Sequence, residues 1–219
     1  MYQHKDYFKK YGRIMQFNKN KKEPFHRWYS FVEGYSREFI KSIVKEMNRE
    51  ELVCLEPFSG SGTTALELQN LGIPCYAFEV NPLMYLIARV KLENGYTLER
   101  FDYWYDYIKI MRDQQQIELE TEFNTLYQGN GKKKWNYNTE VGIAIEKLRQ
   151  VIESISEQIY KEVFKVALAA ILLDVSNLYR NGKCLSYKKN WEERKLDEKD
   201  VYKRFDDKVV NEIRTDIGK

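Results

Sequence analysis

Residues Leu55–Leu68 read LEPFSGSGTTALEL, so the end of an apolar run, two glycines and the start of a helical pattern fall within fourteen positions. The run that leads in, ELVCLEP, is short and apolar and closes on Pro57, the pattern of a buried strand. The run that leads out, TTALELQNLG, has helical spacing and stops at Gly72. Strand, glycine turn and helix in that order make the first βα unit of a doubly wound sheet. Gly60 and Gly62 let the backbone turn tightly and leave no Cβ between main chain and ligand. The helix behind them offers free N–H groups and a positive dipole end.

A second short strand follows in IPCYAFEVNP, with Glu79 at its end, nineteen residues after Gly60. Gly60-x-Gly62-x-x-Ala65 satisfies the dinucleotide fingerprint in its Gly/Ala form, and an acid at Glu79 can accept hydrogen bonds from both ribose hydroxyls of an adenosine. The pair points to an adenosine-containing ligand. Nicotinamide and flavin enzymes usually carry an aliphatic residue before the first glycine, whereas here Glu56, Pro57 and Phe58 precede the turn. A nicotinamide-dependent oxidoreductase stays open, with NAD binding as its signature.

The rest of the chain frames this unit. With 219 residues, 43% of them apolar, it can bury a sizeable core, and a net charge of +3 permits nucleic acid binding without arguing for it. Cys54, Cys75 and Cys184 form neither a disulfide framework nor a zinc cluster. Cys54 and Cys75 are expected as buried free thiols, which fits a reducing cytoplasm. The N-terminus lacks an apolar signal segment and no run is long enough to cross a membrane, so a soluble, cytoplasmic protein is expected.

Asn18–Pro24 reads as a loop, and a helix is predicted from near Ser36 through Met47. Another starts at Pro82 and ends at Gly95. An aromatic-rich helix is expected from Thr97 to about Tyr127, a loop over Gln128–Asn138, and helix again from 139 to about 176. Leu178–Trp191 reads as an irregular basic stretch, and the C-terminal segment as an amphipathic helix. Only two strands are expected, and His4 and His26 offer no ligand pairing.

EPFSGSGTT resembles motif I of the amino-methylating DNA methyltransferases, whose usual form is D-P-F-x-G-S-G-T-T, and FEVNP resembles the D-x-N-P after their second strand. Upstream, FHRWYSFVEGYS (Phe25–Ser36) resembles the motif that these enzymes place before motif I. The resemblance implies an α/β fold with the first two strands of a Rossmann-like methyltransferase sheet and many added helices. It implies S-adenosylmethionine as cofactor. Phe58, Ser59, Gly60 and Gly62 would wrap the methionine and sugar, with Pro57, Thr63 and Thr64 in the same turn. Glu79 would hold the ribose, Val80 or Asn81 would flank the adenine, and Trp28 and Tyr29 would close the methionine end. Glu56 departs from the family's usual Asp: it keeps the carboxylate that would meet the cofactor's amino group but lengthens the side chain.

The resemblance is incomplete. The family's catalytic motif, [DNS]-P-P-[YFW], grips the target amino group of a base flipped out of the duplex. The four prolines here, Pro24, Pro57, Pro74 and Pro82, are never adjacent, so that motif is absent. A cytosine-C5 mechanism needs a Pro-Cys nucleophile after the fourth strand, but Pro74-Cys75 opens the second. A two-stranded sheet is marginal in water and leaves an edge that invites pairing with another chain. The expectation is a split enzyme. Residues 1–96 form the cofactor half and 97–219 a helical extension in the same compact unit. A second polypeptide with a [DNS]-P-P-[YF] motif completes the sheet and makes the pair active. A longer gene that continues this one is the close variant, although RTDIGK reads as a natural polar end.

Double-stranded DNA is the expected substrate, within a restriction–modification system. The contact candidates are Ser176, Asn177, Tyr179, Arg180, Lys183 and Lys188, with GKKKWNYN as a second basic stretch. A non-catalytic S-adenosylmethionine-binding regulatory or scaffold module, and an RNA methyltransferase subunit, remain as alternatives.

Overall fold

The computed structural model describes residues 6–31, 33–49, 51–122, 125–182 and 184–219. The chain forms two compact units, Met1–Asn94 and Gly95–Lys219. It is mostly helical, with one small parallel sheet, an α/β arrangement compatible with a methyltransferase fold.

In the first unit, a short helix α1 (Phe8–Tyr11) and two 3-10 turns (Phe17–Lys22, His26–Trp28) lead to α2 (Arg37–Met47). Ser36 caps α2 by accepting the Phe39 N–H at 3.3 Å, and Asn48 ends it in the left-handed conformation. Strand β1 (Cys54–Glu56), α3 (Thr63–Asn70), β2 (Cys75–Ala77) and α4 (Pro82–Leu92) then follow as the sequence predicts. Asn81 caps α4 by accepting the Leu83 and Met84 N–H groups at 3.0 and 3.2 Å, with Pro82 in the first turn.

β1 and β2 are parallel, with Cys54 opposite Cys75, Leu55 opposite Tyr76 and Glu56 opposite Ala77. The two thiols, expected buried, are only half-buried, and no third strand among the described residues pairs with the other edge of β1. Alternation along the strands puts Val53 and Leu55 on one face with Tyr76 and Phe78. All four are more than half exposed, at 70, 67, 66 and 59%.

In the second unit, α5 (Leu98–Arg112), α6 (Thr139–Glu153), α7 (Gln158–Val175) and α8 (Glu198–Asp207) pack around Phe101, Phe164 and Phe205. A wide π-helical turn (Lys208–Arg214) carries α8 into a last short helix, α9 (Thr215–Ile217). Two bidentate pairs tie α5 to this C-terminal segment, Arg112–Asp206 at 2.9 and 3.0 Å and Arg214–Asp102 at 2.7 Å twice.

The segment expected as a loop over Asn18–Pro24 forms a 3-10 turn over most of its length, Phe17–Lys22. The aromatic helix ends at Arg112, not near Tyr127, because the run after Gln116 alternates polar and apolar residues and loses helical spacing. The stretch expected to be irregular forms an antiparallel hairpin, β3 (Leu178–Asn181) and β4 (Cys184–Tyr187). Gly182, at φ +60°, opens its two-residue connection, the place where such hairpins use glycine. Among the described residues, no helix is long and apolar enough to cross a membrane.

Candidate cofactor site

The glycine turn lies between β1 and α3. The ladder continues past the strands, with the Phe78 N–H donating to Glu56 O at 2.8 Å and the Ser59 N–H to Phe78 O at 2.9 Å. The start of the turn is therefore tied to the end of β2. Gly60 and Gly62 both have positive φ, +53° and +81°. A Cβ on Gly62 would meet the Ala88 Cβ at 2.9 Å, so glycine is also needed for the close approach of α3 to α4. Gly62 begins α3 without a side-chain cap.

Glu79 accepts the Gly60 N–H at 2.7 Å and the Asn81 N–H at 2.8 Å, one on each carboxylate oxygen. Each oxygen keeps a lone pair for a hydroxyl group. Glu56 accepts the Phe58 N–H at 3.1 Å and the Tyr35 hydroxyl at 3.1 Å, and it too retains acceptor capacity. Tyr35 also hydrogen-bonds Thr64. Burial, with the Glu56 carboxylate beside it, pushes the Tyr35 hydroxyl up to about 12, so it acts as a neutral donor.

Behind the turn, the upstream segment is fastened to α3. His26 Nε2 is 2.7 Å from Glu67 Oε1, with both side chains buried, and Arg37 and Lys41 reach the same carboxylate at 3.2 and 3.4 Å. Burial pushes His26 down and outweighs the pull of Glu67. Burial alone would raise Glu67, but the His26 hydrogen bond and the Arg37 and Lys41 charges hold it below the usual carboxylate range. The consistent state is a neutral imidazole donating from Nε2 to a carboxylate. From the other side, Lys91 is wholly buried and donates to Ser61 O at 3.1 Å, inside the turn. Burial brings its ammonium down to about 7.

The buried Ser59 Oγ, Ser61 Oγ and His26 Nδ1 have no hydrogen-bond partner among the described residues. Buried polar atoms are nearly always satisfied. Two orphaned hydroxyls within a glycine turn, next to two carboxylates with spare acceptor capacity, suit a ligand with hydroxyl and ammonium groups. S-adenosylmethionine is such a ligand.

The remaining residues of the expected site fall into two groups. Phe58 and Val80 are 84 and 98% exposed. Pro57 and Asn81 are exposed beside them, and Thr63 and Thr64 are buried in the first turn of α3. Trp28 is fully buried against Phe25, ring centroids 4.9 Å apart, and Tyr29 is half-buried. The roles of Tyr35, Glu67 and Lys91 had no local sequence signal. His26 and Glu67 are 41 positions apart, and only folding shows them as a pair.

Of the DNA-contact candidates, Ser176 and Asn177 are buried and spent inside the second unit. Ser176 Oγ bonds Leu173 O at 2.8 Å, and Asn177 Nδ2 bonds Trp135 O at 3.2 Å and Asn138 Oδ1 at 3.0 Å. Lys188 Nζ caps α7, its shortest bond being 2.8 Å to Ser176 O, and burial brings it down to about 8. Tyr179 and Arg180 are exposed on β3. Lys183 lies outside the described residues.

In sequence the chain is similar to Type II methyltransferases. It is 28% identical over 117 residues to the Type II methyltransferase M.BsoBI of Geobacillus stearothermophilus, covering 52% of this chain and 22% of that protein. It is 25% identical over 181 residues to the Type II methyltransferase M.AvaI of Nostoc sp. (strain PCC 7120 / SAG 25.82 / UTEX 2576), covering 81% of this chain and 36% of that protein. The chain thus spans little more than a third of the length of these relatives at most. No family model and no solved structure matches.

Proposed function

We propose that this chain is the S-adenosylmethionine-binding part of a split DNA methyltransferase of a restriction–modification system, acting on adenine N6 or cytosine N4. The observation that carries the proposal is the Glu79–Gly60 hydrogen bond, which joins the motif I turn to the acid after the second strand in a chain similar to two Type II methyltransferases. Bound S-adenosylmethionine supplies an activated methyl group for a target amino nitrogen. The chain's task is to hold that donor. Glu79 takes the ribose hydroxyls, Glu56 the amino group, Phe58 the methionine and sugar, and Val80 or Asn81 flanks the adenine. Lys91 and the His26–Glu67 pair keep the turn and its flanking segment in place.

A second polypeptide supplies the [DNS]-P-P-[YF] motif and completes the sheet. In support, the free edge of β1 adjoins an apolar groove of about 290 Å³, lined by Ile43, Val44 and Met47 of α2 and by Val53 and Leu55. A parallel strand added there would cover apolar surface that is otherwise open to water.

The test is native mass spectrometry of the complex isolated from its host, followed by titration of the isolated chain with S-adenosylmethionine. A second chain with a [DNS]-P-P-[YF] motif at fixed stoichiometry, and cofactor binding lost in Gly60→Val, are the expected results. A purified single chain that methylates DNA unaided refutes the split.

A further inference from the structure

The two basic stretches of the second unit, some forty positions apart in sequence, are joined in space. Trp135 packs edge-on against Trp191 with ring centroids 4.9 Å apart, and Tyr187 packs on Trp191 at 4.8 Å. The Asn177 N–H donates to Asn136 O at 2.7 Å, and the Lys134 ammonium sits over the Tyr187 ring at 5.4 Å. The loop that carries Lys133 and Lys134 is thus fixed to the root of the β3–β4 hairpin. Residues 129–138 and 176–191 together hold seven lysines and arginines and no carboxylate.

The root of the ribbon is rigid and its end is open. Lys188 and the Arg194 guanidinium both donate to Ser176 O, at 2.8 and 2.6 Å, locking the hairpin to the end of α7. At the other end, a Cβ built on Gly182 meets nothing within 4 Å, and the same holds for Gly131 in the lysine loop. Register puts Tyr179, Ser186 and Asn181 on one face, with Asn181 Nδ2 3.5 Å from Ser186 Oγ, and Arg180 on the other beside Leu185. A ribbon of two strands fits the major groove of B-form DNA, which is about 12 Å wide. Exposed cations at its base and flank suit phosphates.

We infer that the β3–β4 hairpin and the Lys133–Lys134 loop form one duplex-DNA-binding face, with the ribbon in the major groove, Tyr179 and Asn181 toward the bases, and Lys133, Lys134 and Arg180 on the backbone. The choice of DNA rests on the methyltransferase reading, while the face itself rests on the packing around Trp191.

The experiment is fluorescence anisotropy of the whole chain with a short labelled duplex of random sequence, repeated across a salt series. Lys133→Ala with Lys134→Ala should lower the slope of log affinity against log salt by about 1.8, and Arg180→Ala by about 0.9. Tyr179→Ala should weaken binding and leave the slope unchanged. Lys199→Ala, exposed on α8, should match the parent chain. Thermal unfolding verifies that every variant is folded. Unaltered slopes in the lysine and arginine variants, or no duplex binding at low salt, would overturn the inference. So would tighter binding of a single strand through the same residues. The same samples are titrated with S-adenosylmethionine. Cofactor binding with unaltered slopes sinks this inference alone. Altered slopes without cofactor binding leave it standing and remove the reading of the first unit.

Discussion

Glu79 accepts the backbone N–H of Gly60 at 2.7 Å, across nineteen positions of chain and from two residues past the end of β2. The carboxylate that would hold a ribose therefore also shapes the turn that would hold the rest of the ligand. Glu79→Ala removes both functions. A hydrogen bond to a charged group contributes about 1.5–3 kcal/mol, so the affinity for S-adenosylmethionine should fall by about 10- to 100-fold. Isothermal titration of the parent chain and the variant measures this. An unchanged affinity would place the cofactor elsewhere.

Gly62 and Gly72 separate two reasons for glycine. Both have positive φ, +81° and +69°, so a side chain costs about 1–2 kcal/mol at either. At Gly72 nothing lies within 4 Å of an added Cβ, whereas at Gly62 it meets the Ala88 Cβ and Cα at 2.9 and 3.0 Å. Gly62→Ala should cost about 1–3 kcal/mol more than Gly72→Ala, because α4 must move to admit it. Urea unfolding of the two variants gives the difference directly, and equal losses would mean that α3 and α4 separate freely.

The first unit was legible because its signals are local. Pro57, Gly60, Gly62, Asn81 and Pro82 each fix a boundary within a few residues, and each boundary falls where the chain predicts it. The second unit was less so. Gly182, after LYRN and before KCLSY, is a turn signal, but the lysines and arginine around it look like a solvated loop. Ser176 and Asn177 look like surface polar residues at a helix end. Both are buried: Trp135 and Asn138, some forty positions earlier, supply the partners of Asn177, while Ser176 bonds Leu173 O and Leu178 O beside it. Tyr35, Glu67 and Lys91 gather at the turn through pairings of 29, 41 and 30 positions, which no periodicity can reveal.

Lys91 gives the first unit a pH signature. Its folded value of about 7 lies below the ordinary 10.5, so between these values the unfolded chain binds the extra proton. Stability therefore rises with pH in that window, by up to about 1.4 kcal/mol per unit. His26 acts in the same direction lower down, since its depressed value makes stability fall as pH drops below 6.5. Above 9, the Cys75 thiol, raised to about 11 by burial and its neighbour Cys54, begins to oppose the trend. Denaturant unfolding between pH 7 and 9 should show the rise in the parent chain. Lys91→Met should show a smaller rise in the same window, and an identical profile in both would mean that Lys91 is charged in the fold.

Val53 and Leu55 set the last expectation. They precede and occupy the unpaired edge of β1, more than half exposed, and line the groove beside α2. In the isolated chain neither is buried, so Val53→Glu with Leu55→Glu should leave its unfolding free energy within about 1 kcal/mol of the parent. In the complex the same side chains would stand on the sheet face beside those of the strand that completes it, where two unpaired carboxylates are costly to bury. Association with the second polypeptide should weaken by about 100-fold or more, while the isolated chain still binds S-adenosylmethionine. Co-purification and cofactor titration of one preparation read both halves of this expectation. Intact association would mean that the partner, if it completes the sheet, does so along the outer edge of β2.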